Sequence, residues 1–75
     1  MQKYQVLFVD DDRAAGYIVS RFKVWEESDF TLKSIARSST EALKLLEKEF
    51  YDLVITDIRM PGMDGLELIR VIREK

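Results

Sequence analysis

Two nearly unbroken apolar runs and one alternating stretch divide the chain, with segments of helical period between them. "YQVLFV" at 4–9 is rich in branched and aromatic residues and ends abruptly on Asp10, Asp11 and Asp12. Such a run predicts a strand buried on both faces, and its place makes it the central one. Behind it Ala14 or Ala15, Ile18, Phe22 and Trp25 recur at helical spacing with polar residues between them, which predicts one amphipathic helix over about 12–27. "SDF" punctuates, and "TLKSIAR" at 31–37 alternates apolar and polar as an exposed or edge strand does. Ser38 and Glu41 have capping-box spacing at the head of a helix over about 39–49. "YDLVITD" at 51–57 is the third strand, and "LELIRVIREK" from 66 the third helix, with Asp64 and Glu67 as a second capping pair.

The order β-α-β-α-β-α with short connections implies parallel strands joined by right-handed crossovers, an α/β fold. No repeat, low-complexity segment or linker interrupts it, so residues 1–75 are read as one domain. Seventy-five residues at 47% hydrophobic and 35% charged have material for a single small core. A net charge of −2 with both signs interspersed gives this segment no grip on nucleic acid or an anionic membrane. Cysteine and histidine are absent, which removes disulfides, thiolate and imidazole metal sites and histidine acid–base chemistry, and leaves carboxylates as the reactive groups. No apolar run approaches the roughly 18 residues of a membrane span, and "MQKYQVLF" lacks a signal peptide's layout, so the expected location is cytoplasmic.

The acids fall where an α/β sheet does its chemistry. All parallel strands end on one edge, and ligands bind there beside a change in strand order. Asp10, Asp11 and Asp12 close the first strand and Asp57 the third; if these strands are neighbours, about 4.8 Å apart, carboxylates converge. Like charges so close need a neutralising partner. Mg²⁺ suits them: it takes few carboxylates, keeps waters and leaves a face for phosphate oxygens. A carboxylate beside it can act as nucleophile toward phosphorus. Asp12, taken alone, reads as a helix N-cap rather than a ligand. After Asp57, Pro61 fixes φ and Gly62 permits positive φ, the pair that a type II turn wants. The stiff loop this makes, ending at Gly65, can turn a main-chain carbonyl near Arg59 inward as a further metal ligand. A plain strand-to-helix turn would explain the glycines but not the acid before them.

"VLFVDDDRA" and "SSTEALKLLEKEFYDLVITDIRMPGMDGLELIRVIRE", with their spacing, resemble the receiver domain of bacterial two-component response regulators across the whole chain. The resemblance implies a flavodoxin-like sheet with strands ordered 2-1-3. It implies phosphoryl transfer from a sensor histidine kinase to Asp57, with Asp10, Asp11 and Asp57 holding a weakly bound Mg²⁺ and Arg59 giving its main-chain carbonyl. It also implies a signalling acceptor rather than an enzyme. The "DIRMPGMDG" wording and the tryptophan after the first helix are most similar to regulators carrying an AraC-type DNA-binding domain. Arg13 stands where the family often has proline, and Gly16 lies inside the first helix at a cost of about 1 kcal/mol relative to alanine. The family's five strands run 2-1-3-4-5, and its fourth and fifth, with their Ser or Thr and their Lys, have no counterpart here. The expectation is therefore the amino-terminal part of a receiver, impaired in switching.

Other readings fit the sequence less well. Asp10 and Asp12 form a D-x-D pair like that of haloacid-dehalogenase-type phosphatases, but Ala14 replaces the Thr or Val wanted two residues on. "LVITD" is similar to a Walker B strand, yet no glycine-rich phosphate loop precedes it. "DDDRAAG" has its glycine one position late for an EF-hand, and no glutamate closes that loop. The remaining rival is a structural fragment. The third strand would be a sheet edge with no lysine or proline to guard it, so the chain is expected to be a homo-oligomer, joined by strand pairing or by swapping of elements.

Overall fold

The computed structural model describes residues 3–74. Its elements run β1 (Tyr4–Val9), α1 (Arg13–Ser20), α2 (Val24–Glu27), β2 (Phe30–Ala36), α3 (Ser39–Lys48), β3 (Leu53–Thr56) and α4 (Gly65–Arg73). The three strands form one parallel sheet in the order β2-β1-β3, an α/β flavodoxin-like arrangement with the first strand in the middle. Because β1 is flanked on both sides and covered on both faces, Val6, Leu7, Phe8 and Val9 are all buried. β2 is an edge. Its pairing to β1 slips at Val6/Leu7, where Leu32 and Ser34 take consecutive partners and Lys33 is left over. That lysine lies over the Tyr51 ring, 4.9 Å from its centroid, and donates to the Phe50 carbonyl at 3.0 Å.

The two faces of the sheet are filled unequally. Leu7 and Val9 of β1 pack with Ala36, Ala42, Met60 and Leu68 under α3 and α4, and this is the main core. On the opposite face, Val6 and Phe8 lie in register with Leu53 and Ile55 of β3, with α1 and α2 to one side. Leu53 and Ile55 remain 41% and 42% exposed. β3 is the other edge of the sheet, as expected, and only one of its faces is covered.

The single helix expected over about 12–27 is corrected, into α1 and α2. The last turn of α1 tightens, with the Arg21 and Phe22 amides donating to Ile18 and Val19 at 3.1 Å each. The Trp25 indole then donates to the Val19 carbonyl at 2.6 Å, taking an acceptor that a continuous helix would have used. The stripe turns accordingly: Ile18 is exposed, while Gly16 and the half-buried Ala15 and Val19 face inward. Gly16 sits where α1 meets β2, since a Cβ there would lie 3.3 Å from the Ile35 side chain.

Candidate functional site

Main-chain bonds at the carboxyl end of the sheet set the geometry. The Asp10 amide donates to the Ala36 carbonyl at 3.0 Å, and the Asp57 amide to the Val9 carbonyl at 2.9 Å. β1 and β3 are therefore still paired where the acids begin, and Asp10, Asp11 and Asp57 each bring a carboxylate oxygen within 4.8 Å of the others. Asp10 is half-buried; Asp11 and Asp57 are exposed. One Asp10 oxygen accepts from the Asp12 amide at 3.0 Å, which restrains its rotamer. Three carboxylates so close repel one another, and hard oxygen donors at this spacing fit Mg²⁺ by size and charge. Asp12 is not in the group: its Oδ1 caps α1 by accepting from the Ala14 amide at 2.9 Å.

The loop after Asp57 is held at both ends. Gly62 has φ 74°, the left-handed region, just after the exposed Pro61. Gly65 donates its amide to the Ile58 carbonyl at 2.8 Å. A Cβ on Gly65 would overlap the Asp57 main-chain oxygen, so the glycine is needed there for space rather than for φ. Met60 is buried in the main core, and Arg59 is exposed two residues beyond Asp57. Asp64 caps α4 by accepting from the Glu67 amide at 2.9 Å, and Glu67 lies 3.4 Å from Arg70. Ser38 caps α3 by accepting from the Glu41 amide at 3.1 Å. The Glu41 carboxylate reaches back one residue further than a standard capping box, to the Arg37 amide at 2.7 Å.

Two restraints have no signature in sequence. Ser39 is 3% exposed, and its hydroxyl donates to the Met63 carbonyl at 2.7 Å, pinning the loop to the head of α3. At the other end of the sheet, Asp52 accepts from the Gln5 amide at 2.6 Å and closes the start of the β1–β3 ladder.

Comparison with known proteins agrees with this geometry. The response regulator receiver domain family matches residues 6–75. The C4-dicarboxylate transport transcriptional regulatory protein DctD of Rhizobium meliloti is 48% identical over 67 residues, 89% of this chain and 14% of that protein. The DNA-binding transcriptional regulator NtrC of Proteus hauseri is 37% identical over 75 residues, 100% of this chain and 15% of its own length. Among solved structures, the receiver domain of AraT from Geobacillus stearothermophilus superposes with TM-score 0.84 at 32% identity, covering 96% of this chain and 56% of that one. A CheY-like receiver domain from Methanospirillum hungatei gives TM-score 0.78 at 37% identity, covering 97% and 56%. The chain thus spans little more than half of these solved receiver domains. With a family match over nearly its whole length and strand order, acid cluster and loop in place, the chain belongs to the response regulator receiver domain family.

Proposed function

We propose that this chain is the phosphoacceptor portion of a signalling receiver and that Asp57 takes the phosphoryl group. The observation that supports this is the meeting of Asp57 with Asp10 and Asp11 at the carboxyl edge of the sheet. One Asp57 oxygen would form the new bond to phosphorus as the P–N bond of a sensor kinase phosphohistidine breaks, the imidazole nitrogen keeping the electron pair. Asp10, Asp11 and Asp57, with the Arg59 main-chain carbonyl, would hold a weakly bound Mg²⁺; when present it neutralises charge on the transferring oxygens. Asp10, held by its bond to the Asp12 amide, orients its ligand oxygen, and the loop closed at Gly65 fixes where the Asp57 main chain sits.

The chain is then a substrate of signalling rather than a catalyst turning over a metabolite. The names of DctD and NtrC point to transcriptional output, which in this proposal belongs to a further, DNA-binding region rather than to this segment. Among the described residues no helix is long and apolar enough to cross a membrane, and a kinase partner in the cytoplasm fits the reading. The test is incubation with acetyl phosphate and Mg²⁺ followed by intact-mass analysis. One added phosphoryl group is expected on the natural chain and none on Asp57→Asn; absence of the adduct from a folded natural chain would reject the proposal.

A further inference from the structure

The loop that follows Asp57 is fastened unevenly. At its base the Asp57 amide donates to the Val9 carbonyl at 2.9 Å and the Gly65 amide to the Ile58 carbonyl at 2.8 Å, so both ends are tied to main chain. Between them Met60 reaches the core, but an unbranched thioether side chain follows small shifts of its backbone and anchors it softly. Gly62, at φ 74°, stands in open space, where a Cβ would meet nothing within 4 Å. Among the described residues, one side chain from outside the loop hydrogen-bonds to residues 59–64: the Ser39 hydroxyl, on the Met63 carbonyl at 2.7 Å.

That bond has a firm support. Ser39 is 3% exposed, which shields the hydroxyl from competing water. It is the first residue of α3, behind the Ser38 cap on the Glu41 amide, and α3 packs into the main core through Ala42. The helix does not itself ask for serine here. Ser38 already supplies the cap, alanine is the better helix former, and a buried hydroxyl is costly unless it finds a partner. The partner it finds is the loop.

We propose that Ser39 is a positioning residue for the metal site: by holding Met63 it keeps the loop in the arrangement that offers the Arg59 main-chain carbonyl alongside Asp10, Asp11 and Asp57. This rests on the reading of those residues as Mg²⁺ ligands. Ser39 touches neither the ion nor the reacting atoms. Without its bond, residues 59–63 take further arrangements, and the apparent Mg²⁺ affinity falls by the fraction of molecules in which that carbonyl is in place. One neutral hydrogen bond sets the scale, about three- to tenfold in the dissociation constant. Asp57 keeps its own bond to Val9, so the acceptor is undisturbed once metal is saturating.

Mg²⁺ titration followed by amide NMR tests this, because it reads affinity in folded molecules whatever their stability. Ser39→Ala removes the hydroxyl, and Ser39→Cys keeps the volume with a much weaker donor. Either variant that retains the natural chain's dispersed spectrum serves, and binding about three- to tenfold weaker is expected. Trp25→Phe is the control: it loses a hydrogen bond of α2, away from the loop, and should bind Mg²⁺ as the natural chain does. Phosphorylation by acetyl phosphate should be slowed in the Ser39 variants at low Mg²⁺ and reach the natural rate at saturation. Unchanged affinity in a folded Ser39 variant, equal weakening by Trp25→Phe, or a rate deficit that persists at saturating Mg²⁺ would each overturn the role of Ser39 while leaving the ligand assignment intact. A natural chain whose Asp10, Asp11 and Asp57 amides ignore Mg²⁺ would overturn both.

Discussion

Three small residues hold the Asp57 loop, each for a different physical reason. Gly62 is there for φ, Gly65 for space, and Ser39 for a hydrogen bond. Gly62→Ala should cost about 1 kcal/mol, the strain of an L-residue at positive φ, because no neighbouring atom obstructs the new methyl. Gly65→Ala should cost more, about 3 kcal/mol, since its methyl meets main chain that cannot swing aside as a side-chain end does. Urea denaturation of the three chains side by side gives that order, and the reverse order would place the constraint at the wrong glycine. Ser39→Ala removes the one buried polar side chain among the described residues and strands the Met63 carbonyl. A loss of about 1–2 kcal/mol is expected by the same measurement.

At the scale of elements, the junction between α1 and α2 depends on one indole. Trp25→Phe keeps the ring but loses the donor to Val19, and should cost about 1 kcal/mol. Hydrogen exchange should speed up at the Phe22 amide, which shares that acceptor, more than in α3. This break was not legible in the sequence, because helical spacing of Ile18, Phe22 and Trp25 says nothing of a side chain bonding back to the main chain. β1 was legible, since Val6, Leu7, Phe8 and Val9, flanked by strands on both sides and buried, are apolar without a break. The meeting of Asp10, Asp11 and Asp57 rested on two things, that all parallel strand ends share one edge and that β1 and β3 are neighbours, and the second came from the resemblance. The Ser39–Met63 and Asp52–Gln5 bonds join positions 24 and 47 residues apart and leave no local pattern. The exposure of Leu53 and Ile55 was hidden for another reason: apolar residues of this kind are the ones expected at buried positions, and only packing shows that they stay about two-fifths exposed.

For the molecule as a whole, the acid cluster sits at the carboxyl end of β1, the strand whose body supplies the core. Mg²⁺ bound by the folded chain alone should raise its stability by mass action, roughly 1.4 kcal/mol at ten times the dissociation constant. For a domain of this size each kcal/mol moves the midpoint by about 4–8 °C, so a thermal melt resolves the effect. Asp11→Asn should remove most of the Mg²⁺-dependent rise, and an unchanged rise would exclude Asp11 as a ligand. The strand order carries a further consequence, for synthesis. β1 is made first, yet its partners are Phe30–Ala36 on one side and Leu53–Thr56 on the other. Val6, Leu7, Phe8 and Val9, the most thoroughly buried run in the fold, therefore stay unsheltered while most of the chain is still being translated. Until both partner strands have emerged, that run, more than any other among the described residues, is what a chaperone would meet.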